Sequence, residues 1–401
     1  MKGKVLKKAA LGMALGACLA SMAPLAMAQS ATGAVAGRAS AGDQIMITNT
    51  ATGATRSVTV GGDGGYRLSQ LPVGDYQLQV KRNGEDVGES VAVNVALGGT
   101  TTVNLGSDGG VVNLNAVQVV GSRVINRVDV RSTESATNIN RQELSRLPVD
   151  QSLSSVALLA PGVINSGATF GGLSFGGSSV AENAVYINGL NVTDPYRRQG
   201  FSSVPFGFYE EFQVKTGGYS AEFGRSTGGV INAVTRSGSN EFRAGAELTL
   251  EPSAWEASKE DHFHRDGTLD ERNRTSRDSS SFYKANVWAS GAIVQDRLFF
   301  FAMYEKRDSS PQDYDSNAAF ITQGDNDFWG AKFDWRINDD HSLELLAFSD
   351  KSESTTDIYQ YTWNTGTKDR LKGDSVAGSG GDNWSLTYTG HFSDSFTAKA
   401  M

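Results

Sequence analysis

Residues 222–238 read E-F-G-R-S-T-G-G-V-I-N-A-V-T-R-S-G, and this stretch separates two unlike parts of the chain. Three glycines, Gly224, Gly228 and Gly229, interrupt its first half, and the apolar run V-I-N-A-V follows them. Glycine permits positive φ and close approach of other groups to the backbone. The pattern therefore predicts tight turns that lead into one short buried strand. A Gly-rich globular region precedes the stretch, and long alternating strands follow it.

The composition of the 401-residue chain excludes several classes of protein. Its length is enough for two or three domains, and its formal net charge of -8 offers no basic footprint for nucleic acid. Cys18 is the only cysteine, so no disulfide or cysteine-based metal site can form within one chain. Walker-loop, CxxC and Ser/His/Asp patterns are also missing from the sequence. We predict that the chain is not an enzyme and has no catalytic residue and no cofactor.

His262 and His264 form the one histidine pair that invites a metal-site interpretation. Glu260, Asp261 and Asp266 lie beside them in the sequence. A metal site would need a third convergent ligand and supporting hydrogen bonds, which the spacing alone does not provide. The alternatives are a metal site and a solvated acidic loop, and we predict the loop and no metal.

Residues 1–28 have the pattern of a cleaved secretory signal. Four lysines in the first eight residues precede an apolar run, and this run ends in A-M-A before Gln29. A transmembrane helix is the competing interpretation, but glycines, a serine and a proline dilute the run. A second alternative is a lipobox at residues 15–18, which would make Cys18 a lipidated N-terminus.

Residues 30–106 are predicted to form a β-sandwich, because about seven short strands alternate with turn signals at regular spacing. The stretch D-G-G-Y-R-L-x-x-L-P-V-G-D-Y-Q-L-Q-V, residues 63–80, resembles the carboxypeptidase regulatory-like domain. No zinc-binding H-x-x-E motif accompanies it, so the family name implies no peptidase activity here. The strands read directly from the sequence are residues 44–49, 56–60, 66–68, 75–80, 91–95 and 101–105.

Residues 124–238 are predicted to form a domain that contains both strands and short helices. The predicted elements are a strand-to-helix step at 137–144, an apolar helix at 152–159 ended by Pro161-Gly162, strands at 184–187 and 211–215, and a turn at Asn188-Gly189.

Several motifs in this region follow one another in a family-specific order. They are L-L-A-P-G-V, F-G-G-S-S, V-Y-I-N-G-L-N-V-T-D-P, F-Q-V-K-T-G-G and A-E-F-G-R-S-T-G-G-V-I-N. This order resembles the plug of Oar-like TonB-dependent outer-membrane receptors. The resemblance implies a plug motif formed by Glu222, Gly224, Arg225, Gly228, Gly229, Asn232 and Arg236.

Residues 107–123 are predicted to be a linker that carries a short apolar segment. A short extended segment on flexible flanks can add as a strand to the sheet edge of a partner. The resemblance implies a TonB box here, with ExbB and ExbD energising TonB. The alternative is an ordinary first strand of the next domain, and the acidic residues common in TonB boxes are replaced by Asn115 and Ala116. The candidate TonB contacts are Asn115, Ala116, Val117, Gln118, Val119 and Val120.

From residue 239 onward the chain is predicted to begin a transmembrane antiparallel β-barrel. Apolar and polar residues alternate at 242–251, 329–337 and 384–392, over the length that a tilted strand needs to cross a bilayer. Long polar loops at 252–280, 307–327 and 351–382 alternate with tight turns. We count six strands and the start of a seventh. A barrel of this type needs about 22 strands, so we expect an N-terminal fragment of a longer protein.

The predicted fold is therefore mainly β: a sandwich, an α+β plug at 124–238 and the first strands of a truncated barrel at 239–401. The leading hypothesis is energy-coupled uptake across the bacterial outer membrane, with the sandwich in the periplasm and outer-membrane lipid around the barrel. The resemblance allows siderophores, vitamin B12, peptides or carbohydrate oligomers as the external ligand. The alternatives are an outer-membrane adhesion or surface-assembly protein on the same scaffold, and a soluble secreted binder.

Overall fold

A computed structural model describes most of the chain after residue 30. The described residues are 31–106, 134–144, 146, 152–166, 172–196, 198–220, 222–224, 226–257, 259–270, 275–393 and 396–401. The predicted signal sequence, Cys18, the linker from residue 107 onward and the candidate TonB contacts lie outside these ranges. Strands dominate the described residues, and this confirms the predicted mainly β fold class.

Residues 31–106 form two sheets packed around an apolar core, which includes Val35, Ile45, Leu68, Leu78 and Val95. The sheet orders are β4-β1-β7 and β3-β2-β5-β6, as expected for a sandwich. The strands are β1 (Thr32–Arg38), β2 (Gln44–Asn49), β3 (Thr55–Thr59), β4 (Gly65–Pro72), β5 (Gly74–Arg82), β6 (Glu85–Val95) and β7 (Thr100–Thr102).

Strand β1 is the sandwich element that the sequence did not reveal. Its residues T-G-A-V-A-G-R are small, and they lack the β-branched and aromatic pattern that marks a strand. β1 nevertheless lies in the centre of its sheet, antiparallel to β4 and parallel to β7. A Cβ on Gly37 would overlap the carbonyl of Val103, so the small residues permit this close approach.

One ion pair joins the end of β5 to the residue that precedes β2, and it makes the stability of the sandwich depend on pH. Arg82 donates from Nε to Asp43 Oδ1 at 2.7 Å and from its second terminal nitrogen to Oδ2 at 2.8 Å. These hydrogen bonds from Arg82 hold the pKa of Asp43 below its usual value. A lowered folded pKa stabilises the fold above the unfolded pKa of about 3.9, and this stabilisation is lost as pH falls through the folded pKa.

We therefore expect Asp43→Asn to lower the melting temperature of residues 31–106 near neutral pH and to have progressively less effect below about pH 4. The control is Asp86→Asn, because the exposed Asp86 lies 3.4 Å from Lys81 and such surface pairs contribute about 0–1 kcal/mol. Thermal unfolding of both variants at a series of pH values is the measurement. An Asp43→Asn effect that stayed constant with pH would contradict the electrostatic origin.

Residues 134–238 contain a five-stranded mixed sheet with the order β12-β11-β14-β13-β8. β11 is parallel to the central strand β14, and β13 is antiparallel to both β14 and β8. The predicted turn at Asn188-Gly189 is present, with φ of 50° and 88°. The elements are β8 (Ser135–Asn140), helices α1 (Arg141–Leu144) and α2 (Leu153–Ala157), β9 (Val163–Asn165), β10 (Leu173–Phe175), β11 (Ala184–Ile187), β12 (Leu190–Asn191), β13 (Tyr209–Gly217) and β14 (Val230–Thr235).

The remaining strands form a seven-stranded antiparallel sheet and a separate four-stranded sheet. The large sheet has the order β15-β16-β17-β20-β21-β24-β25, and the small one β18-β19-β22-β23. The strands are β15 (Arg243–Glu251), β16 (Phe282–Val294), β17 (Leu298–Ser309), β18 (Gln312–Tyr314), β19 (Ala318–Asp325), β20 (Phe328–Arg336), β21 (His341–Ser349), β22 (Ser352–Thr362), β23 (Thr367–Ser379), β24 (Asp382–Ser393) and β25 (Phe396–Ala400).

The large sheet has one apolar exposed face and one face packed against residues 134–238. Trp384 is 72% exposed and Trp329 is 47% exposed on the outer face. Phe301, Phe328 and Phe348 are fully buried on the inner face, in the same apolar cluster as residues of β13 and β14. The predicted alternation is thus present, and an apolar outer face is what a sheet in contact with lipid requires.

The small sheet corrects the prediction that residues 307–327 and 351–382 are long polar loops. β22 and β23 pair over most of their length, and β19 pairs with β22. Polar residues occupy both faces of β23, and almost all of them are exposed. Without an apolar face, these strands lack the period-two signal on which the sequence interpretation relied. In the part of the chain that the structure describes, no helix is long and apolar enough to cross a membrane.

Candidate functional site

The stretch at 222–238 packs tightly at its centre and is open at its start. Gly229 lies against the ring of Phe175, and its N–H donates to Asn183 Oδ1 at 2.9 Å. The N–H of Gly228 donates to the carbonyl of Glu182 at 3.1 Å. Around Gly224, by contrast, a Cβ would meet no atom within 4 Å. The turns therefore need glycine at positions 228 and 229 for space, whereas position 224 has room for a side chain.

Asn232 and Arg236 occupy buried positions at and just beyond β14. Asn232 pairs with Tyr186 of β11 and with Gln213 of β13, at the centre of the five-stranded sheet. The Arg236 guanidinium lies 3.8 Å from the ring centroid of Trp288 and 4.5 Å from that of Phe301. Burial lowers the pKa of Arg236 to about 10, so the side chain is still charged at neutral pH and suited to a cation–π contact.

Glu222 is half-buried, and it lines a cavity of about 160 Å³ between the sandwich and the five-stranded sheet. Arg225 lies outside the described residues. The candidate TonB contacts at 115–120 also lie outside them, but the structure describes both flanks of their segment. The preceding flank ends at Gly106, and the following flank begins at Glu134, which pairs with the buried Lys215 at 2.7 Å.

A buried polar network joins the five-stranded sheet to the inner face of the large sheet. Lys332 Nζ lies 3.0 Å from Glu344 Oε2 and donates to Ser237 Oγ at 2.9 Å. Asn188 donates from Nδ2 to Glu344 Oε1 at 2.8 Å and to Thr235 Oγ1 at 2.9 Å. The residue after β11 and the residues at the end of β14 are thereby tied to strands β20 and β21.

A second polar contact lies at Ser203, at the other end of the same interface. The N–H of Ser203 donates to Asp350 Oδ2 at 2.8 Å, and Arg307 donates to Ser203 Oγ at 3.0 Å. Arg307 also donates from Nε to Glu305 Oε1 at 2.6 Å. Sequence reasoning did not single out these residues or Lys332. The alternation in β20 put Lys332 on the polar side of its strand, but no sequence signal names its partner.

The described residues contain no group of three or more His, Cys, Asp or Glu side chains that could hold a metal ion. The candidate site is the interface between the five-stranded sheet and the large sheet, together with the two flanks of the linker. Hydrogen bonds join the five-stranded sheet and its flanking loops to the two neighbours of that sheet, the sandwich and the large sheet.

Two family models match the chain. The model described as the TonB-dependent Receptor Plug Domain matches residues 128–230, and the one described as the Carboxypeptidase regulatory-like domain matches residues 31–106. Residues 128–230 are therefore similar to the plug domain of TonB-dependent receptors, and residues 31–106, which precede them, are similar to the carboxypeptidase regulatory-like domain. We call residues 134–238 the plug below.

One curated relative gives a more specific match than the two family models do. The chain is 32% identical over 256 residues to the TonB-dependent transporter Oar of Myxococcus xanthus. This match covers 62% of the chain and 23% of the relative, so the chain spans about a quarter of the relative's length. The predicted resemblance to Oar-like TonB-dependent receptors is confirmed.

Two solved structures of bacterial receptors are also similar, at lower sequence identity. The ferric enterobactin receptor of Pseudomonas aeruginosa has a TM-score of 0.42 at 14% identity, covering 64% of this chain and 38% of that one. The siderophore receptor PirA of Acinetobacter baumannii has a TM-score of 0.38 at 13% identity, covering 65% and 45%. The resemblance to TonB-dependent receptors rests on the two family models and on Oar, because structural matches with TM-scores of 0.42 and 0.38 carry no argument.

Proposed function

We propose that the chain is part of a TonB-dependent outer-membrane receptor that takes up an external ligand. The observation that carries this proposal is the packing of the plug sheet on the inner face of a sheet whose outer face is apolar. Such a sheet suits a lipid environment, and a plug held on its inner side would close the path through a barrel. The resemblance to a transporter rather than an enzyme supports the same conclusion.

In this proposal the division of the chain is the predicted one: an export signal at 1–28, a periplasmic sandwich at 30–106, a linker with the TonB box at 107–123, the plug at 124–238 and barrel strands at 239–401. TonB, energised by ExbB and ExbD, pairs with residues 115–120 as an added strand. Tension on that segment reaches the plug through Glu134 and β8. The motif at 222–238 holds the plug together and fixes it against the large sheet.

Deleting residues 115–120 is the test of this proposal. We expect the receptor to lose its binding to the purified periplasmic domain of TonB by at least about tenfold, because every strand contact with the partner is removed. Deletion of residues 107–112 is the matched control, since it shortens the same segment equally and spares the candidate contacts. Surface plasmon resonance with receptor isolated from outer membranes measures both.

A crosslinking experiment locates the contact independently. Cys18 is the only cysteine of residues 1–401 and lies within the predicted signal, so Val117→Cys would place a single thiol in this part of the exported receptor. We expect a disulfide with a cysteine placed on the TonB strand. If binding survived the 115–120 deletion, the TonB box assignment would be wrong. Surface adhesion that persisted without any TonB binding would favour the adhesion alternative.

A further inference from the structure

Residues 96–99, the loop that joins β6 to β7, form a contact between the sandwich and the plug. Leu97 in this loop is fully buried. Its N–H donates to Glu211 Oε1 at 3.1 Å, and its carbonyl accepts hydrogen bonds from Asn138 Nδ2 and Gln213 Nε2, both at 2.8 Å. Both backbone polar groups of this one loop residue are therefore bound by side chains of the plug strands β8 and β13.

The plug face under this loop is polar and buried. Glu211 and Gln213 alternate along β13 with Phe212 and Val214, which belong to the apolar core on the other side of the sheet. A strand with this alternation would normally turn its polar side to water. Glu211 is only 5% exposed and Gln213 only 3%. Buried polar groups are costly unless they are hydrogen-bonded, so the loop at 96–99 supplies partners that this face needs.

Gly98 makes the close contact possible. Its φ is +63°, and a Cβ at this position would lie 2.6 Å from Oε1 and 2.7 Å from Nε2 of Gln213. Its own N–H donates to the carbonyl of Thr32 at 3.0 Å, so the loop is also held by the first strand of the sandwich. A side chain here would displace the Gln213 amide from the carbonyl of Leu97.

The loop lies near one end of the segment that carries the candidate TonB contacts, because Gly98 and Glu134 line the same cavity. The other end, Gly106, follows Leu105, whose N–H donates to the carbonyl of Arg38 at the opposite end of β1. The sandwich ends at Gly106, shortly after β7, and the described chain resumes at Glu134, one residue before β8. Glu134 pairs with Lys215, two residues after Gln213 on β13. Gly98, Gln213, Glu134 and Lys215 all line the cavity between the two domains. Tension on residues 107–133 therefore pulls on the sandwich at Gly106 and on the plug at Glu134, which are the two domains that the loop at 96–99 joins.

A second contact joins the sandwich to the start of the large sheet. The N–H of Asn240 donates to the carbonyl of Ala51 at 3.0 Å. Asn240 also donates from Nδ2 to Asp296 Oδ1 at 2.7 Å, in the turn between β16 and β17. The sandwich is thus attached both to the plug and to the start of the large sheet. Two separate attachments restrict its movement, so the contact made by residues 96–99 is a fixed part of the structure.

We propose that residues 96–99 are a clasp that locks β8 onto β13 in the resting receptor. Tension on residues 107–133 has to open this clasp before the two strands can move apart. The source of the tension rests on the function proposed above. The clasp itself does not, because it consists of contacts within one chain and can be measured without TonB.

Hydrogen exchange of the receptor isolated from outer membranes, without TonB, tests the clasp from both sides. We expect Gly98→Ala in the sandwich and Gln213→Ala in the plug each to speed exchange of the Leu97 amide and of the β8 amides by roughly tenfold. Gly84→Ala is the control for the first variant, because Gly84 has φ of +87° and a Cβ there would meet no atom within 4 Å. Glu210→Ala is the control for the second, because Glu210 is an exposed residue of β13.

The double variant separates the clasp from general destabilisation. Gln213→Ala removes the amide that the methyl added by Gly98→Ala would strike, so the two changes together should have little more effect than either one. Rapid exchange of Leu97 in the unmodified receptor would overturn the proposal, as would β8 exchange that neither single variant alters or that the controls raise equally. Loss of TonB binding on deletion of 115–120 is a separate result, so failure of the clasp and failure of the proposed function are distinguishable.

Discussion

Gly229→Ala is expected to destabilise the plug by about 3 kcal/mol, the upper part of the range for an overfilled core. The added Cβ would overlap ring carbons of Phe175, which is almost fully buried. The backbone cannot withdraw, because the N–H of Gly229 is bound to Asn183 and its carbonyl accepts from the N–H of Ala184 at 3.0 Å. Hydrogen exchange of the β14 amides measures the loss as a local opening free energy.

Gly224→Ala is the matched control within the same motif. No atom lies within 4 Å of the position that its new methyl group would take, so the change should stay within about 0.5 kcal/mol of zero. Phe175→Leu in the Gly229→Ala background should recover part of the stability, because a smaller side chain gives the methyl room. Equal effects at positions 224 and 229 would show that the glycines serve backbone flexibility and not packing.

Lys332→Met is expected to weaken the attachment of the plug to the large sheet by about 3 kcal/mol, the lower end of the range for breaking a buried pair, because it removes a buried cation from two part-buried carboxylates. The Lys332 side chain is 4% exposed and lies 3.0 Å from Glu344 and 3.4 Å from Asp334. The variant also loses the hydrogen bond from Lys332 to Ser237. Exchange of the Thr235 amide, which donates to Asn188 Oδ1 at 2.8 Å, reports opening of the same network from the plug side.

Lys351→Met is the control for this prediction. Lys351 pairs with Asp382 at 2.6 Å, but the Lys351 side chain is 66% exposed. Exposed pairs of this kind contribute about 0–1 kcal/mol, because water screens the charges and the long side chains lose entropy when ordered. A similar cost for both lysines would mean that the Lys332 network is as well solvated as the surface, and that it does not hold the plug.

Local patterns predicted the strands well. Alternation in residues 242–251, 329–337 and 384–392 identified β15, β20 and β24, and the apolar run after Gly229 identified β14. These patterns are reliable because side chains of a strand point to opposite faces with a period of two, whatever the strand packs against. The strands β1, β22 and β23 were missed because small residues or two polar faces remove that signal.

The amino-acid order of this chain was sufficient to predict strands with an alternating pattern, the turn glycines and the resemblance to Oar-like receptors, since each depends on residues close together in the sequence. The partners of Gln213, Lys332 and Arg236 could not be obtained that way. Each is a polar residue whose local sequence predicts exposure to water, and each is buried because a distant element packs on it. Burial and pairing depend on contacts between residues far apart in the chain, and only the folded molecule brings those residues together.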